Sequence, residues 1–226
     1  MLAGVGLNCE PSTVSRKTPT TNYPPSTTNS PLPTANSSLR IGLIGDTHYP
    51  EAGPLWDEAY DALRGVGLIL HAGDLHVVEV LDWLEQRCGA PVLAVRGNGD
   101  DGGAGRPICP DDPRLKPVQL VDAGGLRIGM VHDATLPEQP HRTLDHIMHH
   151  HFGGRVDVLV HGDTHLPEVT RMRGVLLVNP GSPVFPRNLS RQLGTVGFIE
   201  VRDGAAQAWI HDLGAGRPLR PPTSNL

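Results

Sequence analysis

Aromatic residues make up only 4% of this 226-residue chain, within a hydrophobic content of 38%. A core with so few rings must rest on Leu, Val, Ile and Ala, in an amount that suits one domain plus tails. Cysteine is scarce as well. Cys9, Cys88 and Cys109 show neither paired nor zinc-like spacing. That argues against a disulfide scaffold and a thiolate zinc site, and a reducing, cytoplasmic location is expected. No apolar run reaches the length of a membrane span, so no membrane association is expected. Residues 1–9 lack a basic start and hold a very short apolar part, so neither a secretory nor a lipoprotein signal is expected. Positive charge is in deficit too, with a net charge of -5. This argues against an extended nucleic-acid surface but leaves room for a local phosphate site.

Glycine and proline are plentiful, 27 and 22 residues, and mark a loop-rich protein. Residues 1–38 read as a disordered leader, because from residue 10 on they are mostly Pro, Ser, Thr and Asn and bury too little apolar surface to offset ordering entropy. The domain is expected over 39–212, with a mobile Pro-rich tail at 213–226. Within it, short apolar runs at 39–44, 67–70 and 91–95 alternate with helical patterns at 55–66 and 77–86, which implies parallel strands with right-handed crossovers. A long loop is expected at 101–117. Hairpin patterns follow at 118–131, 168–178 and 195–211, with a helix at 141–151 and a strand at 156–160. The first half is βαβ and the second mostly hairpins. The expected fold is therefore α/β, a four-layer α/β/β/α sandwich of two mixed sheets flanked by helices.

Five of the predicted strand ends carry polar groups: Asp46 with His48, Asp74, Asn98, His132, and Asp163 with His165. Residues two apart in extended chain point the same way, so Asp46 and His48 are expected side by side. Strand ends on one edge of an α/β sheet converge, and all these groups are oxygen or nitrogen donors that suit divalent Mn, Fe, Co, Ni, Mg or Zn. Each residue also has a plainer reading. Asp46 and Asp74 can cap helices, Asn98 can turn the chain between Gly97 and Gly99, and His132 can be a satisfied core imidazole. Asp100 reads as a supporting or turn residue. His71 and His76 read as structural, with the option of lining the pocket, and the His149, His150, His151 run reads as a partly exposed helix end. Gly103 to Gly105 is no phosphate loop, since no Lys-Ser/Thr follows.

Taken in order, Gly-Asp-Thr-His at 45–48, Gly-Asp at 73–74, Gly-Asn-Gly-Asp at 97–100, His132 and Gly-Asp-Thr-His at 162–165 resemble the motifs of the calcineurin-like metallophosphoesterases. Asn-Pro-Gly-Ser at 179–182 is similar to a segment of their small, cap-less YfcE-like phosphodiesterase branch. The resemblance covers residues 39 to about 211. It implies a dinuclear metal-dependent phosphoesterase, more specifically a phosphodiesterase, with Mn as the expected metal. In that family Asp46, His48 and His165 would bind one ion, Asp74 would bridge, and Asn98 and His132 would bind the second. Asn98 would also face the phosphate, and a metal-bridging hydroxide would attack phosphorus. The implied partner is a small phosphorylated substrate, and a homodimer is open because relatives often pair. This chain departs from the pattern in three places. Asp163 stands where the family has a His ligand, Gly99 where many relatives carry a His thought to be the general acid, and Asp133 follows His132 in place of Gly. Asp163 is expected to take the vacated ligand position, with His161 as the rival. The erosion also motivates an alternative function, a non-catalytic metal-binding or protein-interaction scaffold of the same fold, as the related retromer subunit illustrates.

Overall fold

A computed structural model describes residues 38–134 and 138–219. The expected leader, apart from Ser38, and the last part of the expected tail lie outside these residues. β1 (Leu39–Ile44), β2 (Leu68–His71), β3 (Val92–Val95) and β4 (Leu115–Lys116) are mutually parallel. They continue through the antiparallel β10 (Thr195–Arg202), β11 (Ala205–Asp212) and β12 (Arg217–Pro218) into one seven-stranded sheet, ordered β12-β11-β10-β1-β2-β3-β4. The second sheet has five strands in the order β5-β6-β7-β9-β8: β5 (Gln119–Ala123), β6 (Leu126–Met130), β7 (Val158–Val160), β8 (Glu168–Met172) and β9 (Val175–Asn179). β6, β7 and β9 are parallel, and the outer strands antiparallel.

Side-chain alternation explains the layering. Ile41, Leu43, Leu70, Ile128, Val160 and Val178 face one another in a core between the sheets. Their neighbours Ile44, Ile69 and Ala94 point to the opposite face of the large sheet. There α1 (Asp57–Leu63) and α2 (Glu79–Cys88) cover them with Leu63, Leu81 and Leu84. Leu159 and Leu177 likewise face α3 (Leu144–Phe152) through Ile147 and Phe152. The result is a mixed α/β sandwich with two sheets inside and helices outside.

Several boundaries differ from the sequence pattern. The loop at 101–117 holds a short 3₁₀ turn at Gly103–Gly105 and the edge strand β4, two residues long and so without any periodicity to read. Arg114 pins this segment to α2 through Asp82 and Glu85, at 2.7 and 2.9 Å. α3 begins at Leu144, not 141, because the Thr143 hydroxyl accepts the His146 N–H (3.2 Å) and caps the helix. Past residue 212, Leu213 is buried and β12 pairs with β11, so the sheet continues beyond the expected domain end.

Candidate metal centre

The parallel strands deliver their carboxyl ends to one side of the sandwich. Asp46 and His48 follow β1, Asp74 and His76 follow β2, Asn98 follows β3, His132 follows β6, and Asp163 and His165 follow β7. The turns are not extended. Asp46, His48, Asp74, His76, Asp163 and His165 all have positive φ, between 48° and 72°. Asp and His tolerate this left-handed region better than most residues, yet each such position carries a strain of about 1 kcal/mol or more. The expected side-by-side placement of Asp46 and His48 is therefore corrected in its cause. It comes from a strained turn and not from continued strand. The same Asp-x-His turn is built three times, at 46–48, 74–76 and 163–165.

Three overlapping groups bring ligand atoms within 4.8 Å of one another: Asp46, His48 and His165; His48, Asp74 and His76; and Asp46, Asp74 and His132. Asn98 joins through its Oδ1, 3.1 Å from His132 Nε2. Asp163 stands at the rim of these groups. Its Oδ1 is 3.6 Å from His132 Nε2, and its backbone N–H donates to Asp46 Oδ1 at 3.3 Å. The rival His161 is buried, close to the Asn179 amide (3.4 Å at Nδ1), and its Nε2 has no hydrogen-bond partner among the described residues.

The hydrogen bonds assign the imidazoles. His165 Nδ1–H donates to the Phe185 carbonyl (2.9 Å), which leaves its Nε2 lone pair toward His48 Nε2, also 2.9 Å away. Burial pulls both rings down, His48 to about 4, so both imidazoles are neutral and the His165 Nε2 acceptor lies against His48 Nε2. Asp46 is fully buried, its Oδ2 has no hydrogen-bond partner among the described residues, and burial raises its carboxyl well above the usual range. Burial alone would lower His132 too, but Asp163, Asp46 and Asp74 outweigh it and hold the ring up at about 9. A cluster of buried acceptors with so strong a demand for positive charge fits divalent cations.

A frame of polar contacts holds these ligands. The Asp100 carboxylate accepts three backbone N–H groups, from Asp74 (2.9 Å), Gly97 (2.8 Å) and His76 (2.7 Å). Ser182 Oγ donates to the Asp46 carbonyl (2.8 Å), and Asn179 Nδ2 to the Gly162 carbonyl (2.9 Å). His71 is a satisfied core imidazole, accepting from the Gly73 N–H and bonded to Thr47 Oγ1. Two groups beside the centre escape the motif-by-motif reading. His76 lies against His48, and the repeated Asp-x-His spacing was the available signal. His151, the last of the three consecutive histidines, lines a cleft with Arg96, Asn98, His132, Arg142 and Asp163. This cleft has a volume of about 330 Å³.

Fold and site together describe a metal-binding α/β sandwich with an open cleft, and the comparisons assign the class. Residues 39–204 match the calcineurin-like phosphoesterase superfamily domain, and the chain belongs to that superfamily. A probable metallophosphoesterase of Methanothermobacter thermautotrophicus is 37% identical over 150 residues, 66% of this chain and 80% of the relative. Among solved structures, Vacuolar Protein Sorting 29 of Cryptosporidium parvum superposes with a TM-score of 0.64 at 23% identity, covering 80% of this chain and 95% of that one. Vps29 of Entamoeba histolytica, solved in complex with zinc, gives 0.61 at 20% identity, with 80% and 96% coverage. These two likenesses concern the fold.

Proposed function

We propose that the chain hydrolyses a small phosphoester, a diester in preference to a monoester, at two divalent metal ions with Mn foremost. The observation that carries this is the convergence of the His48 and His165 Nε2 atoms, 2.9 Å apart, with a buried Asp46 oxygen that has no hydrogen-bond partner among the described residues. Asp46, His48 and His165 would hold the first ion, Asp74 would be shared, and Asn98, His132 and Asp163 would hold the second. Two such ions would supply a nucleophilic water at neutral pH and neutralise charge on the phosphoryl oxygens. The Asn98 amide is exposed at the mouth of the cleft, where its Nδ2 can donate to a phosphoryl oxygen. Arg96, Arg142 and His151 give the cleft cationic and imidazole walls for the part of the ester that departs. Gly99 offers no proton donor, so the leaving oxygen draws on solvent and esters of acidic alcohols are favoured.

The test is a panel of phosphomonoesters and phosphodiesters, with Mn, Ni, Co, Mg and Zn returned singly to metal-free protein. Metal-dependent turnover that is fastest on diesters with acidic leaving groups is expected. A second reading, a scaffold of the same fold, is favoured by the departures at Gly99 and Asp163 and by the neighbours that carry a protein-sorting name. Bound metal without turnover on the whole panel decides for it. Absence of a membrane-crossing helix among the described residues and the sparse cysteines support a cytoplasmic location.

A further inference from the structure

We propose that Glu51 and His76 form a positioning relay that fixes the His48 imidazole for metal binding. The proposal rests on the metal reading above and concerns two residues that reading does not use. Glu51 Oε2 lies 2.6 Å from His76 Nδ1, and His76 Nε2 lies 3.0 Å from His48 Nδ1. A carboxylate only accepts, so His76 Nδ1 carries a proton and its Nε2 is an acceptor. In the neutral His76 ring that acceptor receives a hydrogen bond from His48 Nδ1–H, which leaves the His48 Nε2 lone pair toward His165 and Asp74 (2.9 and 3.9 Å). One tautomer is thus passed along three groups, as metal-bound imidazoles require of their outer nitrogen.

The relay is anchored at both ends. Arg106 Nε donates to Glu51 Oε1 at 2.8 Å, and the His76 backbone N–H is held by Asp100. The His76 side chain is 4% exposed and meets the His48 ring edge-on at 78°, with centroids 4.7 Å apart. This arrangement also accounts for Gly99. A Cβ there would fall 2.4 Å from His76 Nε2 and 2.8 Å from Cδ2, so a side chain at 99 and this ring at 76 exclude each other. His76 could instead be a ligand in its own right, since it groups with His48 and Asp74. The relay spends both of its nitrogens elsewhere, and metal stoichiometry separates the two roles.

The experiment titrates Mn and Zn into metal-free wild type, His76→Ala, Glu51→Gln and the double variant, with metal analysis and melting curves of the metal-free proteins alongside. The wild type should hold two ions. His76→Ala should weaken one of them by about 10–100-fold with little change in metal-free melting. Glu51→Gln should weaken the same ion less, and the double variant no more than His76→Ala. Gly99→Ala should impair metal binding in the wild type and be partly rescued when combined with His76→Ala. If His76→Ala fails to fold, Glu51→Gln decides, because its side chain is 44% exposed and replaceable without repacking. Unchanged affinity in both single variants, additive losses in the double variant, or a third ion lost with His76 each overturns the relay while leaving the metal reading intact. A wild type that binds no divalent ion overturns both.

Discussion

Asp74 presents one carboxylate oxygen to each half of the candidate centre. Oδ1 is 3.5 Å from His132 Nε2 and Oδ2 is 3.9 Å from His48 Nε2. In the proposed dinuclear arrangement Asp74 would serve both cations and offset their mutual repulsion. Asp74→Ala is expected to release both ions and to lower turnover more than any other single ligand change, by metal analysis and steady-state rates. Two ions and wild-type turnover in that variant would refute the dinuclear arrangement. Asp163 is a gentler case, since its side chain is 45% exposed at the rim. In the proposed site a carboxylate there would add a negative charge to those of Asp46 and Asp74, which would favour harder ions over Zn. Asp163→His should keep two ions and raise turnover with Zn or Ni, while His161→Ala should retain both ions. If His161→Ala strips the second ion and Asp163→His changes nothing, the ligand is His161, whose buried Nε2 has no hydrogen-bond partner among the described residues.

At the level of elements, the turns after β1, β2 and β7 repeat one device, an Asp and a His both in left-handed backbone and both held by neighbouring turns. His48 N–H donates to the Asp74 carbonyl (3.0 Å), Asp46 N–H to the Gly73 carbonyl (2.9 Å), and Gly162 N–H to the His132 carbonyl (2.9 Å). Each turn supports the strain of the next, so a packing error in one should reach the others. Gly97 is a tight point beside these turns. A Cβ there would lie 2.0 Å from Asp74 Oδ1 and 2.5 Å from the Asp74 backbone nitrogen. Backbone cannot give way as a flexible side chain can. Gly97→Ala is therefore expected to lose roughly 1–3 kcal/mol in denaturant unfolding and to weaken both ions together. Unchanged stability with unchanged metal affinity would contradict the packed geometry of the β2 and β3 turns.

For the whole molecule, the centre trades stability for binding. Asp46 has 0% exposure and one oxygen with no hydrogen-bond partner among the described residues, a costly burial until a cation arrives. Metal-free Asp46→Asn should consequently melt above the metal-free wild type, by about 2–4 °C if the relief is near 1 kcal/mol. Saturating Mn should reverse the order, because ions that bind only the folded state stabilise it by about 2.7 kcal/mol at a hundredfold excess over Kd. Melting curves in chelator and in Mn check both halves. A wild type that melts identically in the two conditions would argue against ions linked to folding.

What the sequence determined by itself was whatever is written in neighbouring residues. Alternating or unbroken apolar runs announced β1, β2, β3 and β7, and Gly-Asp turns after three of them announced chemistry at strand ends. Asp46, His48, Asp74, Asn98, His132 and His165, which the fold brings together, stand in the sequence as motifs in a given order. The tertiary structure alone decided the rest. Strands β4 and β12 have two residues each, too few for any period, and exist because a longer neighbour offers them an edge. His76 and Glu51 stand 25 residues apart in the chain, and nothing local in either pairs them. Left-handed turns, the tautomer of His48 and the exclusion between Gly99 and His76 arise from contacts among separate loops. Local patterns are set by a few adjacent residues, whereas convergence is the outcome of two sheets packing their carboxyl ends to one side.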